Sequence, residues 1–348
     1  MNISHSRVAC YLSCPYKHYL AYEVGVAANK PVRPLRFGID FHKLLELRNN
    51  PEELAKAQKD IEDKFYEMPA AWQQELGENY VQDLNEIFTD YCTLYKDTLQ
   101  PTKTEQEFNI AIGVVNGEPV IFKGVIDELY KRKHKGGTKY IKLGEHKTFN
   151  RKPDHNVLVM NTQKNLYAKA VQILSGMLPE TVIWDYIHST PAVEPIWLAK
   201  SNRLSTAKSN NITPFSYIRA CERHNIMDDA VLAKAKQFVC NIPNFFFRVE
   251  MDIIPSMVEQ VWQGFTYTAQ QIVEQGDKNK TRSMGSNCAF CDFRDICYTQ
   301  LTEGNLENLI QTKYVVSKRT DVMVESRKVK EPVFDQFAVN KEENNGLS

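Results

Sequence analysis

Residues 124–147 read GVIDELYKRKHKGGTKYIKLGEHK: an apolar run reaching Asp127, a basic turn holding Gly136 and Gly137, and a second run ending in Glu145-His146-Lys147. Side chains alternate across a strand, so Glu145 and Lys147 project to one side. Antiparallel pairing of the two runs would carry Asp127 toward Glu145. Paired carboxylates are hard oxygen ligands that hold Mg²⁺ or Mn²⁺ and leave positions open for water and phosphate. A lysine two residues beyond one ligand can orient the attacking water or neutralise charge on the phosphate. Acid and lysine also alternate on many exposed strands for solubility alone, so the reading needs support from elsewhere.

Working outward, Phe108, Ile110 and Ile112 alternate as in a half-buried strand, and Asn116-Gly117 is a two-residue hairpin signal. With strands over 120–130 and 140–148 this predicts an antiparallel meander. Upstream, 35–48 reads as a helix carrying Phe37, Phe41, Leu44 and Leu45. A further helical stretch runs from Pro51 to about Leu99, broken near Pro69 and Gly77, and Pro101 ends it. Downstream come a helix over 162–177 and an apolar strand over 181–187. Helix, three strands, helix, strand predicts an α/β core with a mixed sheet. Residues 203–239 read as mostly helical and polar, 258–273 as an amphipathic helix, and 277–287 as a polar loop. Beyond Val316 the chain turns charged and asparagine-rich, with disorder expected over 342–348.

The 348 residues fit one large domain or two closely joined ones. With 43 basic and 43 acidic residues, the balance argues against a protein that coats nucleic acid, while an enzyme needs only a local basic groove. No apolar run is long enough to span a bilayer, and residues 1–17 lack a signal peptide's apolar stretch, so a cytoplasmic location without membrane partners is expected.

Two flanking helices add to the carboxylates. Gly38 and His42 lie one turn apart, glycine permitting close approach and His42 offering an imidazole to a metal. Gln163 and Tyr167 are likewise one turn apart. Gly38-x-x-x-His42, Gly124-x-x-Asp127, Glu145-x-Lys147 and Gln163-x-x-x-Tyr167, in that order, resemble the RecB-type branch of the PD-(D/E)XK nuclease superfamily. The resemblance implies a restriction-endonuclease-like core, a mixed central sheet flanked by helices. It also implies metal ligation by His42, Asp127 and Glu145 with the main-chain carbonyl of His146, Lys147 as the catalytic lysine, and Gln163 and Tyr167 positioning substrate or bracing the site. The proline of the superfamily's name is replaced by Ile126. An imidazole ligand favours Mn²⁺ over Mg²⁺.

Of eight cysteines, Cys92, Cys221 and Cys240 stand isolated and read as small buried hydrophobes. Cys288, Cys291 and Cys297 form C-x2-C-x5-C, a spacing that suits a soft metal or an iron–sulfur cluster and requires a fourth ligand. Cys10 and Cys14 are the candidates, and four thiolates also satisfy zinc. The resemblance separates these options. AddB-type and CRISPR-associated RecB-type nucleases carry one cysteine before the core and three after it, and Ser13-Cys14-Pro15-Tyr16-Lys17-His18-Tyr19 looks like their amino-terminal element. It implies a 4Fe-4S cluster on Cys14, Cys288, Cys291 and Cys297, with zinc as the alternative. Such a clamp would offset the cost of closing a loop of roughly 270 residues, on the order of 5 kcal/mol.

The expected organisation is an amino-terminal element over 1–34, a nuclease core over 35–200, a helical subdomain over 201–285, a cysteine element over 286–317 and a charged tail over 318–348. Lys131, Arg132, Lys133 and Lys135, with Arg151 and Lys152, are candidates for a phosphate groove, and Phe149 for base stacking, although solvated charge and core packing explain each as well. No P-loop motif occurs, so no ATP-driven motor is expected in this chain. By the resemblance, the function is metal-dependent hydrolysis of DNA from free or single-stranded ends in phage or bacterial recombination, repair or processing, with recombination or helicase proteins as possible partners. Two other readings compete. One is a catalytically silent RecB-fold DNA-binding or adaptor protein, which would have lost an acid or the lysine. The other is a zinc-clamped interaction protein with coincidental acidic motifs.

Overall fold

The computed structural model describes residues 1–316 apart from 97, 99–100, 134–138, 206–209 and 227–228. The tail over 318–348 and the side chains of Arg132, Lys133 and Lys135 lie outside the described residues. The chain opens with β1 (Asn2–Ile3) and α1 (His5–Ser13), whose first turn is capped by the Ser4 side chain accepting from the Arg7 N–H. Cys14 separates α1 from α2 (Pro15–His18), where proline at the first helical position forfeits only an N–H with no helical partner. A π-helical turn leads to β2 (Val26–Ala28).

Four helices follow, α3 (Arg33–Leu47), α4 (Pro51–Glu67), α5 (Ala70–Leu76) and α6 (Tyr80–Tyr95), with Pro69 and Gly77 bounding α5. The meander comprises β3 (Lys103–Val115), β4 (Glu118–Lys133) and β5 (Lys139–Phe149). Asn116 and Gly117 both take positive φ, 51° and 82°, the hairpin geometry that asparagine and glycine tolerate. Next come α7 (His155–Val159), α8 (Thr162–Ser175) and β6 (Thr181–His188). A small hairpin, β7 (Trp197–Leu198) and β8 (Arg203–Leu204), precedes α9 (Pro214–Arg223) and α10 (Asp229–Ala235). The remainder is β9 (Phe246–Asp252), α11 (Pro255–Gln275), α12 (Arg294–Leu301), α13 (Leu306–Lys313) and β10 (Tyr314–Val316).

The central sheet is six-stranded and mixed, with β4, β5, β6 and β9 in succession, β3 beside β4, and β1 also on β4. β3 occupies one edge of β4 from Glu118 to Leu129. The other edge is shared: β1 pairs in parallel at Ile121 and Phe122, and β5 pairs antiparallel from Glu128 onward. Residues 123–127 of β4 therefore face a gap between the two attachments. One sheet face is covered by α1, α8 and α11 around Phe122, Leu143, Trp184 and Phe265. The other is covered by α3 and α6, with α4 packed on them, around Phe37, Phe41, Tyr80 and Tyr91.

Residues 201–285 are not uniformly helical. Only Leu204 to Phe238 form their own cluster, through Tyr217, Ala220 and Cys221. β9 adds antiparallel to β6, its Phe247, Val249 and Met251 alternating with polar neighbours as a strand requires, and α11 packs on the main sheet. At the chain's two ends, β2 pairs with β10. Among the described residues no helix is long and apolar enough to cross a membrane.

Candidate active site

The gap in the sheet gathers the sequence motifs. The last rung between β4 and β5 is Glu128 to Gly144, and one step further the strands part with Asp127 on one and Glu145 on the other. The Asp127 carboxylate fills the fork, where its Oδ2 accepts from the His146 backbone N–H at 2.9 Å in place of a strand carbonyl. β5 remains paired to β6 through Phe149, which holds Glu145 and Lys147 on the α8 face and His146 on the α3–α6 face.

Each motif arrives from a different element. α3 presents His42, with Nδ1 at 3.7 Å from Asp127 Oδ1. Gly38, one turn earlier, faces Thr148 of β5, and a Cβ added there would meet Thr148 Oγ1 at an ordinary 3.5 Å. The helix–strand approach is thus ordinary packing and does not by itself demand glycine. On the other face, Glu145 Oε1 accepts from Lys147 Nζ at 2.6 Å and from the Gln163 amide of α8. Tyr167 lies beside Gln163 and the Val125 backbone, and its ring meets Phe108 edge-on at 5.5 Å.

Three further groups were not read from the sequence. Glu105 stands opposite Asp127 on β3, where the ladder passes from Thr104–Glu128 to Gln106–Ile126. Its φ is 48°, a strained conformation for a side-chain-bearing residue in a strand, and its carboxylate lies 3.8 Å from His42 Nδ1. Behind His146, the Tyr91 hydroxyl lies 3.1 Å from Nε2 and donates to Asp185 at 2.6 Å, and Asp185 accepts in turn from Arg248. His5 of α1 bonds Thr162 of α8 at 2.9 Å, close enough to Lys147 to feel its charge. No local pattern marks Glu105 or Tyr91. Asp185 was visible as the one charged residue in the otherwise apolar run of β6.

The electrostatics follow from two buried carboxylates, Asp127 at 8% and Glu145 at 6% exposure. Burial raises Glu145, and the Asp127 charge adds to this, against Lys147 and His42, leaving its pKa at about 7. Asp127 shifts the other way: burial works against its charge, but His42, His146, Lys147 and the His146 N–H outweigh it. His42, opposed by burial, is nonetheless raised to about 9 by Asp127 and Glu105. Lys147, also opposed by burial, is raised by Glu145 and Asp127 and carries a full charge. His42 and Lys147 thus bring positive charge to this acidic pocket.

A model of the family described as the PD-(D/E)XK nuclease superfamily matches residues 2–298. The chain belongs to that superfamily. No curated protein matches it. Fifteen chains of solved structures match. One is described as "Crystal structure of SSO0001", 14% identical over 85% of each chain, with a TM-score of 0.35. The mixed sheet with flanking helices fits the PD-(D/E)XK nuclease fold, and nuclease activity, divalent-ion use and a DNA substrate follow from membership.

The cysteines gather at the opposite end of α1 from His5. Cys14, Cys291 and Cys297 share an apolar cluster with Tyr16, Phe293 and Ile296. Cys14 Sγ accepts from the Ser283 N–H at 3.5 Å, next to the turn (Ser286–Phe290) that holds Cys288, whose carbonyl accepts from Cys291 at 3.3 Å. Cys10 lies one turn earlier on α1, its carbonyl accepting from the Cys14 N–H at 3.0 Å. Cys221 is buried, Cys92 partly buried and Cys240 exposed, so the reading of Cys240 as a buried hydrophobe is corrected: it lies on a 3₁₀ turn facing solvent.

Proposed function

We propose that this PD-(D/E)XK nuclease is of the RecB type: a Mg²⁺- or Mn²⁺-dependent deoxyribonuclease, working as an exonuclease on DNA ends or single strands in phage or bacterial recombination, repair or processing. The observation that carries the reading is the convergence at the strand fork. His42, Asp127 and His146 each offer a ligand atom within 4.8 Å of the others, and Glu145 and Lys147 lie on the adjoining strand face. An imidazole and carboxylates make a nitrogen–oxygen donor set, which suits Mn²⁺. The buried Asp127–Glu145 pair is an environment that a divalent cation relieves. His42, Asp127 and the His146 imidazole are thus grouped at metal-binding distance, and the reading adds Glu145, from the adjoining face, and the main-chain carbonyl of His146 as further ligands.

When bound, the ion would supply Lewis acidity at the phosphoryl oxygen and a water of lowered pKa. The chain does the rest. Lys147, fully protonated, offers a positive charge to the phosphate and a donor to the attacking water. Gln163 donates to one Glu145 oxygen, with Tyr167 beside it, so the carboxylate keeps its orientation as charge moves. Asp127 is anchored by the His146 N–H and His42 by Glu105.

The same reading assigns Cys14, Cys288, Cys291 and Cys297 to a 4Fe-4S cluster. It is supported by the packing of Cys14 with Cys291 and Cys297 across the ends of the chain. Anaerobically purified protein is expected to be brown with broad visible absorption, lost in Cys14→Ala; a colourless protein containing zinc would overturn the cluster assignment.

The activity is tested with end-labelled linear single- and double-stranded DNA and a covalently closed circle, each with Mn²⁺ or Mg²⁺. Wild type should shorten linear DNA and spare the circle. Lys147→Ala and Asp127→Asn should lose at least ~100-fold in rate, the scale of removing one electrostatic contributor. Equal cutting by all three proteins would overturn the site.

A further inference from the structure

Beyond Lys147, the α8 face of the sheet continues as an aromatic surface. Lys147 pairs with Tyr186 on β6, and Tyr186 with Phe247 on β9, so the three share one row across the strands. The next residue of β5 on that face is Phe149. The Tyr186 and Phe247 rings stack at 4.8 Å, tilted by 8°, and Phe149 meets Phe247 edge-on at 5.2 Å. Tyr186 is also near enough to Glu145 for that carboxylate to help, after burial, to push its pKa up to about 12. The shelf is thus continuous with the candidate catalytic face.

The cluster lies toward the edge of the sheet, where β9 is the last strand. Tyr186 is buried, but Phe149 and Phe247 keep part of their surface in solvent. α11 covers this face over β3 and β4, at the other side of Lys147. The exposed Lys152, in the segment after β5, holds its ammonium 4.4 Å over the Phe247 ring. Phe247 thus stacks on Tyr186 with one face and carries the Lys152 ammonium over the other, so a planar base attached to an anionic backbone would take the place of that exposed side chain, whose charge would turn to the phosphate. Stacking on aromatics is indifferent to sequence and favours an unpaired strand, because a base inside a duplex has both faces covered by its neighbours in the stack.

We propose that Phe149 and Phe247, with Lys152, form a stacking shelf for an unpaired nucleotide of the DNA strand whose scissile phosphate lies at Lys147. The inference rests on the nuclease reading of the Glu145–Lys147 site and deepens it, since it selects single-stranded DNA over duplex. Tyr186, the cross-strand neighbour of Phe247, backs one face of its ring. Lys152 provides the cation that a phosphate flanking the stacked base would meet.

The test is binding without cleavage, in EDTA, so its failure is distinguishable from failure of the catalytic assignment. The probes are a labelled 20-nucleotide oligothymidylate, a blunt 20-base-pair duplex, and an oligonucleotide carrying 2-aminopurine, whose fluorescence falls on stacking. Wild type should bind the single strand more tightly and quench 2-aminopurine. Phe247→Ala should weaken single-strand binding roughly 5- to 150-fold and abolish the quench, while Phe247→Trp retains both. Lys152→Ala, on the surface and neutral to folding, should weaken binding several-fold and lower the salt slope by about one ion. Unchanged single-strand affinity in both Phe247→Ala and Lys152→Ala, an equal loss on duplex, or no binding by wild type would each overturn the shelf. Metal-dependent cutting by wild type would in every case still judge the active site separately.

Discussion

Gly124 gives the sharpest test of how the core supports the site. It does not take a positive φ, so its backbone does not require glycine. Space does: a Cβ there would lie 2.4 Å from Phe108 Cζ and 2.7 Å from Cε1. Carbon atoms rest at about 3.5–4 Å, so the ring must retreat by roughly 1 Å or more. It has little room, since Phe122 lies 4.9 Å away on one side and Tyr167 5.5 Å on another, and Phe108 is only 1% exposed. Overpacking of this kind costs ~1–3 kcal/mol, and the confined ring argues for the upper half. Alanine gains about 0.5–1 kcal/mol over glycine within a strand, leaving Gly124→Ala destabilised by about 2 kcal/mol. Urea unfolding followed by tryptophan fluorescence would measure this, Trp184 being buried on the same sheet face. Adding Phe108→Leu should return at least half of the loss. A Gly124→Ala protein as stable as wild type, or a double variant no better than the single, would refute the packing argument.

Arg248→Met should destabilise by about 3 kcal/mol in the same assay, because it strands the buried Asp185 charge, and adding Asp185→Asn should recover most of it. If Glu105 acts on His42, Glu105→Gln should lower the His42 pKa in metal-free protein from about 9 toward 6.5; an unmoved resonance in a pH titration by NMR would dismiss the contact. His18 is fully buried and accepts from Arg7 Nε at 3.1 Å, and burial, then the arginine, lowers its pKa to about 4. Its folded value lies below the unfolded 6.5, so the unfolded chain takes the proton first: its contribution is complete above pH 6.5 and fades as pH falls toward 4, by at most about 3 kcal/mol. The slope of stability against pH in that window should shrink in His18→Gln.

The fold was most legible where side-chain period and turn chemistry agreed. The meander announced itself through Asn116-Gly117 and the alternation of Phe108 and Ile110, and α3 and α8 through apolar faces bearing the Gly38–His42 and Gln163–Tyr167 pairs. β9 escaped because its alternating Phe247, Val249 and Met251 sit among charged residues next to helical sequence, and only the partner strand β6 reveals which face they serve. β1 has two residues, too few for any period. The candidate site was legible where residues of one strand share a face at fixed spacing, as Glu145 and Lys147 do, with Asp127 on the strand beside them. Glu105 and Tyr91 act through tertiary proximity, so their roles exist only once β3 and α6 are folded against their neighbours.

The hydrogen bond from the His146 amide to Asp127 gives one carboxylate two duties, as charge and as a missing rung of the ladder. An alanine at 127 would erase both at once and leave a main-chain donor stranded in the interior. A relative that abandoned catalysis would then keep asparagine, or another oxygen-bearing side chain, at this place long after Lys147 had drifted. In this superfamily, an acceptor without its lysine would be the mark of a retired enzyme whose architecture is still in use.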